Sequence, residues 1–257
     1  MAQSKESKGS PPQNGGGNKM FYLIGALIVV AGIWWLVTAR GGSGTTAALP
    51  TPAEFEGIAA TAEPDKSVAI VQGSADAPIE IMEFADYSCP YCGQFASFAG
   101  KLLRQNYVET PDGPVRWLTF DFVLGGFPNS VPAAMGARCA GDQDAYWPYH
   151  DMLFSRQAQW SRSPNAGAAL TEIADDLDLD TGEWRSCMSE ARHLDQIAAA
   201  RKYGESMGVN STPTLFINGE RIDLAGVEPY SHIEGLIKAA LAAANDSASD
   251  EAGDDSP

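Results

Sequence analysis

Cys89 and Cys92 are separated by Pro90 and Tyr91, the one close pair among the chain's 4 cysteines. A thiol attacks only as the thiolate, and the mixed disulfide it forms can be resolved by a second cysteine held nearby. Cys92, Phe95, Ala96, Ala99, Leu102 and Leu103 recur at helical spacing, so the pair is expected on a helix with its sulfurs one turn apart. Pro90 suits the first helical position, where its missing N–H would have had no partner. Cys89 is then placed at the helix N-terminus, where free backbone N–H groups and the positive end of the helix dipole favour a thiolate. On this reading Cys89 is the nucleophile, Cys92 resolves, and stabilising the reduced thiolate makes the oxidised pair a better disulfide donor.

A Cys-x-x-Cys can also be half of a zinc site, which needs two further ligands of suitable spacing. Cys139 and Cys187 form no second close pair, and His150, His193 and His232 are scattered, so no metal is expected. A redox-active cysteine pair needs no cofactor.

The elements that would position the pair can be read on either side of it. Residues 68–71 and 79–85 are short apolar runs bounded by Gly, Asp and Pro, as expected for strands of a mixed sheet, and the second leads directly to Cys89. Farther along, Thr212-Pro213 precedes an apolar strand, Asn218-Gly219 forms a hairpin turn, and residues 221–224 return. A last helix is expected over 229–244. Between Cys92 and Pro213 the chain reads mostly as helix, over 131–140, 144–157, 166–177 and 183–207. Tyr146, Trp147, Tyr149, Leu153 and Phe154 are placed in the core at helical spacing, with His150 packing or capping among them.

Composition bounds the partners. A net charge of −16, from 33 acids against 17 bases, argues against nucleic acid, whose phosphates need a basic surface. Residues 20–39 (MFYLIGALIVVAGIWWLVTA) carry no charge and match the roughly 20 residues that cross a bilayer. A cleaved signal peptide is the alternative, with a shorter apolar region and a clearer small-residue cleavage site than this stretch offers. Lys5, Lys8 and Lys19 precede the span, which predicts a cytoplasmic tail at 1–19 and an extracytoplasmic remainder. Residues 40–66 are expected to be a flexible linker, 67–244 the folded domain, and 245–257 an acidic disordered tail.

The strand ending EFADYSCPYC, the segment ARCAGDQDAYWPYHDMLF and GVNSTPTLFING together resemble the DsbA-like branch of the thioredoxin superfamily, including membrane-anchored members of the BdbD kind. The resemblance covers about residues 67–244 and implies an α/β thioredoxin-like fold with a helical insertion at about 128–207, here preceded by one transmembrane helix. It implies that Pro213 is a cis-proline facing the cysteine pair, with Thr212 offering backbone hydrogen bonds to an extended substrate segment. Glu83 occupies the position of a glutamate that often lies buried beneath the pair, where it could take a proton from Cys92; a strand-end carboxylate reaching solvent is the alternative. Cys139 and Cys187 match a second, structural disulfide of some relatives, or else stay as buried free thiols.

The activity so implied is thiol:disulfide exchange with unfolded or reduced exported proteins, with reoxidation by a membrane partner of the DsbB or VKOR kind. A reductase or isomerase on the same fold stays open, because Tyr91 supplies no cation beside Cys89. A non-catalytic tethered chaperone or scaffold is the reading from another class.

Overall fold

The computed structural model describes residues 50–253. The candidate span at 20–39 and the tail before it lie outside the described residues; among those described, no helix is long and apolar enough to cross a membrane.

In chain order the elements are α1 (Pro52–Ala59), β1 (Ile70–Gln72), β2 (Ile79–Ala85), α2 (Pro90–Phe95), a π-helical turn (Ala96–Gly100), α3 (Lys101–Tyr107) and β3 (Val115–Asp121). There follow α4 (Ser130–Gly141), α5 (Tyr146–Ser155), α6 (Gln157–Trp160), α7 (Ala166–Asp176), α8 (Thr181–Ser189) and α9 (Leu194–Ser206). The chain closes with β4 (Thr214–Ile217), β5 (Glu220–Ile222) and α10 (Pro229–Gly253).

The strands form one five-stranded sheet in the order β1-β3-β2-β4-β5. β2 and β3 are parallel, with Glu83 opposite Thr119, whereas β4 runs antiparallel to β2 and β5 antiparallel to β4. Period-two alternation sends Ile79 and Ile81 to one face, where they pack with Phe95, Leu103, Trp117, Ile233 and Ile237 from α2, α3, β3 and α10. Met82 and Phe84 point to the other face and meet Phe120, Phe216 and Ala200, the last from α9, with the Phe84 and Phe120 rings stacked at 4.7 Å. Each such side chain contributes roughly 1.5–3 kcal/mol on burial, so β2, buried on both faces, is held firmly at the centre.

The insertion packs as a third cluster against the start of α2. Trp160, Leu170, Tyr149 and Leu153 are fully buried there, and the Cys139–Cys187 disulfide joins α4 to α8 with a Cα–Cα distance of 5.8 Å.

Several expectations need correction. Residues 52–59 are not a flexible linker: Thr51 and Glu54 form a reciprocal capping box, Pro52 starts α1, and Phe55 and Ala59 are buried. The Arg201 side chain of α9 binds Glu56 at 2.6 Å and lies over the Phe55 ring, so the folded unit begins before residue 67. The first strand starts at Ile70, because Asp65 caps a short 3-10 turn over Lys66–Val68. The helix expected over 144–157 is interrupted at Arg156, which separates α5 from α6. The one expected over 183–207 breaks where Ala191 takes φ 51, which gives α8 and α9 separate axes. At the other end α10 continues to Gly253, into most of the segment expected to be disordered, because the alanine-rich run at 239–244 propagates the helix.

Candidate active site

β2 ends at Ala85, and the next three residues turn the chain into α2. Asp86 organises that turn: its backbone carbonyl accepts from Cys89 N at 3.0 Å, and its carboxylate accepts from Ser88 N at 2.8 Å, Leu124 N at 2.7 Å and the Ser130 hydroxyl at 2.5 Å. Burial raises its pKa to about 6 against those hydrogen bonds, and the nearby Cys89 sulfur adds to the rise. Sequence reasoning missed Asp86; the signal was an Asp-x-Ser turn at a strand end.

Cys89 is the N-cap of α2 with Pro90 in the first turn, and it offers the helix no side-chain cap. Its Sγ lies 3.4 Å from the Thr212 carbonyl oxygen, and the Thr212–Pro213 peptide is cis. The thiol pKa falls to about 5, chiefly because the Cys92 thiol hydrogen-bonds the sulfur, helped by Thr212 and by the N–H groups of Cys92 and Tyr91; burial opposes this. The helix start therefore does contribute, but the partner cysteine contributes more.

The sulfur is recessed. Residue 89 is only 4% exposed, whereas Tyr91 beside it is 70% exposed, so the sulfur sits between the helix start and the Thr212 segment and not at an open surface. Cys92 is wholly buried and accepts from Asp86 N at 3.5 Å. Burial, then the Cys89 sulfur, pushes its thiol well above the ordinary range. Both cysteines carry free thiols.

Glu83 does not reach solvent. It is buried in β2, accepts from the Trp117 indole N–H at 3.0 Å through Oε2, and leaves Oε1 without a protein partner. Burial raises its pKa, opposed by the Trp117 bond and the Arg104 charge. His150 sits in a nest of Tyr87, Tyr146, Trp147 and Phe154 rings and pairs with Asp151 at 2.9 Å, while Arg104 binds Asp151 at 2.6 Å and covers Trp147. That arrangement matches the packing role expected for His150.

Beside the pair lies a groove of about 400 Å³ lined by Tyr91, Phe95, Phe98, Pro213, Leu224 and Pro229 among others. Among the described residues one cluster has metal-ligand chemistry, Cys139, Cys187 and His193 within 4.8 Å, but the bonded sulfurs leave no thiolate to ligate.

The family described as thioredoxin matches residues 65–239. The chain is similar to the Na(+)/H(+) antiporter NhaA 3 of Salinispora tropica, 33% identical over 174 residues, which cover 67% of this chain and 24% of that protein. It thus spans about a quarter of the length of that relative. It is also similar to disulfide bond formation protein D of Bacillus subtilis, 24% identical over 162 residues, 59% of this chain and 68% of that one. Among solved structures, oxidised BdbD from Bacillus subtilis superposes with a TM-score of 0.61 at 22% identity, covering 70% of this chain and 96% of that one. The alpha-DsbA1 of Wolbachia pipientis gives 0.60 at 20% identity, covering 72% and 96%.

Proposed function

The chain belongs to the thioredoxin family, and from that premise we propose that it is a thiol:disulfide oxidoreductase that donates the Cys89–Cys92 disulfide to exported proteins on the outer side of a membrane. The observation that carries this reading is the asymmetry of the pair, with the Cys89 thiol lowered to about 5 beside the Thr212 carbonyl and the Cys92 thiol raised by burial. A low-pKa Cys89 is a good leaving thiolate, and stabilising the reduced form makes the oxidised form a stronger oxidant.

The exchange balances within the residues present. A substrate thiolate attacks the Cys89 sulfur, the Cys89–Cys92 bond breaks, and Cys92 leaves and takes a proton. Glu83, whose buried carboxyl holds a proton more readily than an exposed one, is the group proposed to supply it. A second substrate thiolate attacks the substrate sulfur of the mixed disulfide and expels Cys89 as thiolate, so the substrate loses two electrons and the protein gains them. The apolar groove beside Pro213 supports docking of unfolded segments, which would pair along the Thr212 backbone.

Disulfide donation needs an oxidising compartment, consistent with the span at 20–39 as a single-pass anchor with its N-terminus in the cytoplasm. A membrane reoxidase of the DsbB or VKOR kind would then return the pair to the disulfide. The test is a redox titration together with oxidative refolding of a reduced, disulfide-containing protein. The expected result is a potential well above about −270 mV and loss of activity in Cys89→Ser. A potential near that of cytoplasmic thioredoxin would overturn the donor direction. Equal yields from wild type and Cys89→Ser would favour a scaffold.

A further inference from the structure

Cys89 lacks the oxygen side chain that usually fixes a helix start, since its sulfur is reserved for chemistry. Something else must hold the peptide that aims the Tyr91 and Cys92 N–H groups at that sulfur. The Cys89 carbonyl accepts from Gly93 N at 3.1 Å, the first bond of α2, and also from Gln157 Nε2 at 2.8 Å. The same Gln157 nitrogen donates to the Tyr87 carbonyl at 2.7 Å. One amide therefore grips the loop on both sides of Ser88.

Gln157 comes from the insertion, at the start of α6, and it is well anchored. Trp160, at the end of α6, is fully buried and donates its indole N–H to the Leu153 carbonyl at 2.9 Å. Asn129 donates to the carbonyls of Trp160, Ser161 and Ser163, and the next residue, Ser130, binds Asp86 at the base of the active-site turn. On the other side of the amide, Gly93 leaves just enough room: a Cβ there would stand 2.7 Å from Gln157 Oε1 and 3.1 Å from its Nε2. Any larger residue at 93 must displace the Gln157 side chain.

From this convergence we propose that Gln157 is a positioning residue, through which the helical insertion holds Cys89 in the posture that makes it a nucleophile and leaving group. The inference rests on the disulfide-exchange reading only for its effect on turnover. Its effect on the Cys89 thiol can be measured without any substrate.

The experiment compares the full chain with Gln157→Leu, Gly93→Ala and the double variant Gly93→Ala/Gln157→Ala, alongside Gln157→Ala alone. Thiolate absorbance gives the Cys89 titration midpoint, a thiol-buffer titration gives the potential, and circular dichroism gives the fold. Gln157→Leu is expected to raise the Cys89 midpoint by about one pKa unit, equivalent to a tenfold loss of thiolate preference, and to make the potential more reducing. Gly93→Ala should shift the midpoint the same way by pushing Gln157 aside. In the Gln157→Ala background, with no side chain to displace, the Gly93→Ala shift should disappear. An unmoved midpoint and potential in folded Gln157→Leu would overturn the proposal, as would a Gly93→Ala shift that persists without Gln157. If Gln157→Leu fails to fold, the Gly93→Ala comparison decides alone. Failure of the wild type to oxidise any substrate, with these shifts present, would count against the donor function and leave the role of Gln157 standing.

Discussion

Trp117 reaches from β3 to donate its indole N–H to Glu83 Oε2 at 3.0 Å, and the second carboxyl oxygen of Glu83 has no protein partner. The carboxyl is thus neutral more readily than an exposed one, with an oxygen free for proton exchange. Glu83→Gln keeps the shape and the Trp117 acceptor but can no longer move a proton. The expected result is a fold of unchanged or slightly higher stability at neutral pH, with breaking of the Cys89–Cys92 bond slowed on the order of tenfold to a hundredfold. Stopped-flow reduction by a model dithiol, paired with thermal melts, checks both halves.

Reduced protein should titrate one thiol near pH 5 by thiolate absorbance, and Cys89→Ser should abolish that step. The sign for stability follows from the shift: the folded thiol pKa of about 5 lies below its ordinary 9.0, so the stabilisation is complete above about 9 and is lost as pH falls through 5. Melting of reduced wild type against Cys89→Ser should therefore diverge as pH rises between those values. Over the same window the couple takes up one proton per two electrons, so its potential should change by about 30 mV per pH unit, steepening to about 59 mV below pH 5.

Cys139 and Cys187 close a loop of 48 residues, for which the chain-entropy relation gives about 4 kcal/mol. Cys139→Ser/Cys187→Ser should lower stability in denaturant by up to about that amount and leave the Cys89 midpoint unchanged. A shifted midpoint would mean that the bond also shapes the active-site end of the insertion.

Phe55 of α1 is 1% exposed and packs against α9. Phe55→Ala should cost about 3–5 kcal/mol, measured by urea unfolding. Were residues up to 66 only a tether, the substitution would cost nothing.

What could be read from the sequence, and what could not, follows from the range of each signal. The cysteine pair, the strand before it and the Asn218-Gly219 hairpin are written in adjacent residues, and the structure has each of them, with positive φ at Asn218 and Gly219. α1 was missed because its Pro, Ala and Gly content resembles a linker, while its apolar face has meaning only against α9. The break at Ala191 lacks Gly or Pro, and tertiary packing puts an alanine in the left-handed region. Asp86 showed only its local half, the turn to Ser88, and its bonds to Leu124 and Ser130 were silent for the same reason, as was Gln157. Gln157 stands 68 positions from the carbonyl it holds, and no periodicity reports a contact of that range.

With residue 92 at 0% exposure and residue 89 at 4%, an incoming sulfur can meet only one member of the couple. On the proposed disulfide-donor reading, every covalent intermediate, whether with a client or with a recycling enzyme, must then form at the same atom through the same doorway. The two kinds of visitor exclude each other and must alternate, so turnover should obey ping-pong kinetics, and a surplus of either visitor should inhibit by occupying the threshold.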